Sequence, residues 1–378
     1  MPVIELNRRN FVLAAAGSAV LGSRLVQAAA SPTPDRITPW AGEKIVDCHF
    51  HERASEEAMI AHLDGAGVSS ALMLAFGDAS TRYAQLRGKH PGRFIGWARG
   101  AGFSPPGGSS ASDAAPSPFN MASLSTAGAS AQAIDELRRL KARGWKGFAE
   151  SGAVGDVDSP DMHRMFAMAA ELDVPIMMHF QKAGLPGRPS QPGRGFSHIE
   201  PMLKKYPKAK LVGHASDFWG HIDARYSDGG GYLTDKVQPG GLIDRLLADY
   251  PNLYGDLGAP SCLIQMGRDP EFTRGFLQRH QHKLMFGSDC GCADGRGGMG
   301  TMAPSVPVPP GSDPQRPAGG VNAGNAAAMQ MRMAAMGGLA GKCIARELLS
   351  ITWNSVDRST FRNIAWNNAV RVYRLEHR

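Results

Sequence analysis

Four short apolar runs in this chain end in residues of the kind that hold metals, and this restricts the fold more than any other feature. They are Lys44-Ile-Val-Asp-Cys-His49-Phe-His51, Pro175-Ile-Met-Met-His179, Lys210-Leu-Val-Gly-His214 and Lys283-Leu-Met-Phe-Gly-Ser-Asp289. On an extended chain residues i and i+2 point to the same side. A strand from Val46 to His51 leaving a barrel core would therefore project both His49 and His51 into the space above it, a metal-binding arrangement. One short histidine pair arises readily by chance; four runs ending alike carry the weight.

Between these runs the chain alternates strand and helix patterns. Strands are expected at Ile45–His49, Ser70–Phe76, Phe94–Arg99, Trp145–Ala149, Val174–His179, Ala209–His214, Leu253–Leu257 and Leu284–Gly287. Helical spacing is clearest at 55–66 (Met59, Ile60, Leu63), 131–143 (Ile134, Leu137, Leu140) and 161–172 (Met162, Met165, Phe166, Ala169). Further helices are expected at 199–205, 242–249, 272–278 and 359–375. Eight strands, each followed by a helix, is the count of an α/β fold of the (β/α)8 TIM-barrel type, and 378 residues suits one such barrel with insertions. A doubly wound open sheet is the alternative. The barrel is preferred because ligand-type residues end strands one, four, five, six and eight, and these converge only if the sheet closes. Two long loops are expected, Gly100–Ser130 after strand three and Gly291–Ser350 after strand eight, both placed to cover the site. Within the second, Met329, Met331, Met333 and Met336 read as a short packing helix.

The first 30 residues stand apart. Asn7-Arg8-Arg9-Asn10-Phe11-Val12-Leu13 resembles a twin-arginine export motif, a small apolar stretch follows, and Ala28-Ala29-Ala30 fits a cleavage site. The mature chain is expected to begin near Ser31, a barrel domain spanning 31–378, in the bacterial periplasm with no stable membrane anchor. Five cysteines (48, 262, 290, 292, 343) is an odd number for an oxidising compartment. Cys290-Gly-Cys292 is too tight for an easy disulfide, and a pair such as Cys292 with Cys343 would tie down a long loop. The net charge of +7 is modest and no Lys/Arg block alternates with aromatics, which argues against nucleic acid as a partner.

The pattern of an HxH after strand one, histidines after strands five and six and an aspartate after strand eight resembles the amidohydrolase superfamily. Lys146-Gly-Phe-Ala-Glu150, Phe286-Gly-Ser-Asp289 and the closing Ile364-Ala-Trp-Asn367-Asn368-Ala369 extend the likeness over nearly the whole mature chain. Within the superfamily the chain is most similar to the amidohydrolase-2 branch, which includes relatives of aminocarboxymuconate-semialdehyde decarboxylase. The resemblance implies that His49, His51, His179 and Asp289 bind metal, that Asp289 takes a proton from an activated water, and that His214 is either an acid/base group or a ligand of a second ion. Glu150 is either a bridge between two ions or a carboxylate orienting a ligand histidine. Imidazole and carboxylate suit one or two divalent ions, zinc first and manganese second.

The function expected from the resemblance is hydrolysis of a small amide, ester or lactone. The alternatives are decarboxylation of a small carboxylated ring compound on the same barrel, and metal binding without turnover. Arg53, Arg99, Lys182, Arg188 and Arg194 lie near the loops above the site and suit a substrate carboxylate. A homodimer is in keeping with the superfamily, though no interface signal is visible. Several features are set aside: His280-Gln281-His282 precedes strand eight and so belongs to the opposite end, Lys146 precedes the end of strand four, and Gly295–Gly300 matches a dinucleotide fingerprint with no helix behind it. His62, His163 and His221 have no ligand partner nearby in sequence, His198 reads as a surface residue, and no G-x-S-x-G occurs.

Overall fold

The computed structural model describes residues 38–53, 55–75, 78–99, 127–152, 156–182, 195–297 and 336–375. The expected export signal lies outside the described residues, as do most of both long loops, Arg188, Arg194 and Met329, Met331 and Met333. Residues 39–378 form one compact unit.

Eight parallel strands run in sequence order: β1 Val46–His51, β2 Ser70–Ala75, β3 Phe94–Arg99, β4 Trp145–Gly152, β5 Pro175–His179, β6 Lys210–His214, β7 Leu253–Leu257 and β8 Leu284–Phe286. The sheet returns to its start, since Asp289 N donates to the His49 carbonyl over 3.0 Å and Ser288 N to Asp47 Oδ1 over 2.8 Å. The result is a nearly closed (β/α)8 barrel. The helices that wrap it are α1 Glu56–Ala66, α2 Ser80–Lys89, α3 Ala127–Ala142, α4 Pro160–Leu172, α5 Glu200–Lys205, α6 Ala215–Gly220, α7 Leu242–Asp249, α8 Ala259–Gly267, α9 Pro270–Arg279, α10 Ile344–Ser355, α11 Arg358–Arg362 and α12 Asn368–Tyr373.

Local chemistry sets the element ends. Ser55 caps α1 by accepting from Ala58 N, Glu56 and Glu57 sit at its positive end, and Gly67 closes it in a left-handed turn. Ser159 caps α4 ahead of Pro160 in the first turn. Two apolar layers result. Val46, Cys48, Leu72, Leu74, Ile95, Met177, Val212 and Met285 fill the barrel, while Phe50, Met73, Trp97, Phe148, Ile176 and Leu211 face the helices. Below the barrel, Ala369, Val372, Tyr373 and Leu375 join the inner cluster, and Asn368 Nδ2 donates to the Leu284 carbonyl over 2.7 Å. The C-terminal helix thus plugs the end away from the strand C-termini.

Most expected elements agree with the structure to within a few residues. Three helices were not foreseen: α6 and α8, inserted directly after β6 and β7, and α10. The expected loop 291–350 ends instead in α10, whose Ile344, Ala345, Leu348, Leu349 and Thr352 bury one face. That periodicity was hidden behind the Pro- and Gly-rich residues before it. Among the described residues no helix is long and apolar enough to cross a membrane.

Candidate metal centre and active site

The site is built by strand ends that break their own regularity. The pairing of β1 with β2 shifts register between Asp47 and Phe50. Val46 and Cys48 therefore point into the barrel while Phe50 joins the outer layer, and His49 and His51 are left together at the mouth. The pairing of β4 with β5 shifts between Phe148 and Ser151, and within that shift Glu150 takes φ 45°. Asp289 after β8 takes φ 44°, Ala215 after β6 takes 75° and Ala259 after β7 takes 68°. Non-glycine residues avoid this region, and such strain collects where a fold must aim particular groups. Here all four lie at the C-terminal ends of strands.

The structure brings all six residues picked from the sequence into one network. His49 Nε2 lies 3.2 Å from His51 Nε2. His51 Nε2 is 3.2 Å from Glu150 Oε2 and 3.2 Å from Asp289 Oδ1. The other Glu150 oxygen lies 3.2 Å from His179 Nδ1, whose opposite ring nitrogen is 3.1 Å from Gln181 Oε1. His214 Nε2 is 3.4 Å from Asp289 Oδ2, and the His214 ring lies 4.3 Å from that of His49, centroid to centroid.

Two carboxylates beneath this layer escape a reading of the sequence. Asp256, wholly buried in β7, has Oδ2 at 2.5 Å from His49 Nδ1 and 3.2 Å from His214 Nδ1. Asp47 Oδ1 accepts from the backbone of His49 at 3.0 Å and of Ser288 at 2.8 Å, tying β1 to β8. The glycines at 258 and 287 make room for Asp256: a Cβ on Gly287 would fall 2.5 Å from Asp256 Oδ1, and one on Gly258 2.7 Å from it. The only sequence sign of Asp256 is an acid inside the apolar run Leu253-Tyr-Gly-Asp256-Leu257.

The electrostatics follow from this crowding. Burial opposes charge on His51, but Asp289 and Glu150 outweigh it and push the imidazole up to about 10. Burial likewise opposes charge on His214, and Asp256 and Asp289 outweigh it to about 10. Burial alone would raise Asp289 and Glu150, yet the surrounding imidazoles hold both carboxyls well below the usual range. Asp256 is also held low, by His49 and His214 against its burial, whereas burial lifts Asp47.

A divalent cation fits these residues. His49, Glu150, His214 and Asp289 each offer a donor atom, all within 4.8 Å of one another. Nitrogens about 2.0–2.1 Å from one tetrahedral ion sit roughly 3.3 Å apart, close to the His49–His51 spacing. His214 Nε2, the ring nitrogen on the Asp289 side, is buried and makes no well-directed hydrogen bond, which leaves it available to a ligand while Nδ1 lies against Asp256.

Family comparison agrees with this geometry. Residues 46–375 match the model of an amidohydrolase family, Amidohydro_2. The chain belongs to this family. It is an enzyme of the amidohydrolase type. No curated protein matches the sequence. Among solved structures it is similar to a probable 2-pyrone-4,6-dicarboxylic acid hydrolase from Acinetobacter baumannii with citric acid bound (12% identity, 88% of this chain and 100% of that one, TM-score 0.43). A second is 5-carboxyvanillate decarboxylase from Novosphingobium aromaticivorans with manganese and a nitrobenzoic acid (15%, 91% and 100%, 0.44). A third is an amidohydrolase from Burkholderia multivorans with bound zinc (11%, 88% and 100%, 0.45).

The residues set aside have other partners. His163 pairs with the Tyr206 hydroxyl at 3.0 Å, His221 with Asp228 at 2.8 Å and His280 with Asp244 at 2.5 Å, while exposed His198 pairs with Ser197 at 2.9 Å. Lys146 Nζ donates to the Arg374 carbonyl at the plugged end. Asp217 accepts from Lys182 N, Tyr226 Oη and Gly229 N, and so holds the segments after β5 and β6 together. Arg53 is buried rather than raised over the site, and donates to the carbonyls of His51 (3.2 Å) and Cys290 (2.7 Å). His62 has no ligand partner nearby in sequence, but lies against Cys292, whose sulfur is 3.4 Å from its Nδ1 and 230 residues away along the chain.

Proposed function

We propose that the chain is a metal-dependent hydrolase that opens the carbonyl–heteroatom bond of a small ester, lactone or amide. The observation that carries this reading is Glu150, whose two oxygens reach His51 on one side and His179 on the other. A carboxylate shared between the β1 and β5 histidines suits a bridge between two ions. His49, His51 and Asp289 would hold the first ion, His179 and His214 the second, zinc or manganese by the donor chemistry. When bound, such ions polarise the substrate carbonyl and acidify the attacking water.

The protein's own groups supply the proton path. Asp289 stays ionised among its imidazoles, takes the proton from the attacking water and passes it to the leaving oxygen or nitrogen as the carbonyl–heteroatom bond breaks. Asp256 fixes the rings of His49 and His214 from below, so neither must reorient during the reaction. The substrate class includes carboxylates, with Arg99 and Lys182 beside the mouth.

The reading also includes export by the twin-arginine route to the periplasm and cleavage near Ala30, supported by Arg8-Arg9 and Ala28-Ala29-Ala30. The N-terminal sequence of protein from the periplasmic fraction tests it. The chemistry is tested with metal-loaded protein in 18O-labelled water, against lactones, aryl esters, anilides and hydroxylated benzoic acids. Label in a new carboxylate, absent with Asp289→Asn, is the expected result. Carbon dioxide release from the benzoic acids with no label incorporated would replace the hydrolase with a decarboxylase.

A further inference from the structure

Outside the mouth of the barrel, four side chains that the family chemistry does not use close on one point. They are His62 from α1, Cys290 and Cys292 from the segment after β8, and Cys343 at the start of α10. All are buried, with 0% to 8% of their surface exposed. All five cysteines of the chain are free thiols. The Cys290 and Cys292 sulfurs are 3.4 Å apart, those of Cys290 and Cys343 3.8 Å, and Cys292 Sγ lies 3.4 Å from His62 Nδ1. The four donor atoms all fall within 4.8 Å of one another.

Thiolates about 2.3 Å from a single tetrahedral ion lie roughly 3.8 Å apart, and a thiolate and an imidazole nitrogen roughly 3.5 Å. The cage has that size. His62 turns Nδ1 towards the sulfurs, 3.4 Å from Cys292 Sγ and 3.0 Å from the Cys292 carbonyl, and its Nε2 is buried with no hydrogen-bond partner. A buried polar nitrogen left unpaired costs about 1–3 kcal/mol, so this ring is poorly explained as packing. We propose that His62, Cys290, Cys292 and Cys343 form a second, structural zinc site separate from the catalytic centre.

The surroundings are shaped for such a staple. A Cβ on Gly65 would fall 1.8 Å from the Asp294 carbonyl oxygen, and one on Gly295 2.2 Å from that of His62. A Cβ on Gly297 would fall 2.0 Å from the Gly341 carbonyl oxygen. Only glycine lets α1, the segment after β8 and the approach to α10 meet this closely. Three thiolates around a zinc ion leave one net negative charge. Arg53, buried alongside and bonded to the Cys290 carbonyl, lies where it offsets that charge. Thiolate sulfur selects zinc over the hard cations, and four protein donors leave no open position, so the site holds structure and takes no substrate. What it holds is the residue after Asp289.

The test uses the full-length mature protein with cobalt(II) replacing its metals. The catalytic centre has only nitrogen and oxygen donors, so a thiolate-to-cobalt charge-transfer absorption in the near ultraviolet reports this site alone. The expected result is that the band is present in wild type and in Asp289→Asn, and absent in Cys343→Ser. The zinc form should lose one equivalent per chain on Cys290→Ser or Cys343→Ser. Absence of the band in folded wild type, or a Cys290–Cys343 disulfide found by mass spectrometry of the metal-loaded protein, would overturn the proposal. The wild-type spectrum decides it even if the cysteine variants fail to fold.

Discussion

Replacing Asp256 with asparagine keeps the volume of a wholly buried side chain and removes its charge. In the native site one carboxylate oxygen serves two imidazoles, at 2.5 Å from His49 Nδ1 and 3.2 Å from His214 Nδ1. Losing the carboxylate behind a single ligand histidine lowers metal affinity about 10–100-fold. With two histidines affected by the loss of one wholly buried charge, the expected loss is at the upper end, about 100-fold, or about 2.8 kcal/mol at 1.4 kcal/mol per decade. The assay is competition for zinc against a chromophoric chelator, with the melting curve of the metal-free protein as a control for folding. The His214 imidazole of the metal-free variant should also titrate lower than in the native protein, because the carboxylate that most favours its charge is gone. A folded Asp256→Asn protein with zinc affinity within about twofold of wild type would show that this carboxylate does not position the ligands.

Three further outcomes are expected. Gly287→Ala places a methyl group 2.5 Å from Asp256 Oδ1 and 2.8 Å from His49 Cβ, so it should lower stability by about 1–3 kcal/mol and weaken metal binding together; an unchanged melting temperature counts against the packing described. His51 and His214 are raised from 6.5 to about 10 in the metal-free protein, so the stability they give is full below about pH 6.5 and is lost as pH rises towards 10. Metal must displace those protons, so its affinity should climb over the same window, with protons released on binding at pH 7.5, as read by calorimetry in buffers of different ionisation enthalpy. Glu150→Ala should drop the catalytic centre from two ions to one while leaving the thiolate–cobalt band intact; two ions retained there would deny Glu150 the bridging role.

The barrel was legible because parallel strands buried on both faces read as short apolar runs, and because the functional residues stand where those runs stop. His49, His51, Glu150, His179, His214 and Asp289 were all picked this way, and the structure brings them together. Asp256 was not, since it sits inside β7 and works through the rings above it rather than from a strand end. His62 was set aside for want of a neighbour in sequence, although Cys290-Gly-Cys292 carried the matching half of the pattern. Its partners belong to segments that only the closed barrel brings alongside α1. Helix α10 was lost for a different reason: its buried face follows a stretch rich in glycine and proline that masks where the periodicity begins.

The return of β8 to β1 has a consequence for how the molecule comes into being. Asp47 and His49 reach their partners Ser288 and Asp289 across some 240 intervening positions, and His62 reaches Cys343 across still more. Contacts of such long range form late and slowly. A nascent chain short of its last strand has neither centre, and acquires both only once synthesis is nearly complete. Metal uptake therefore reports a finished barrel.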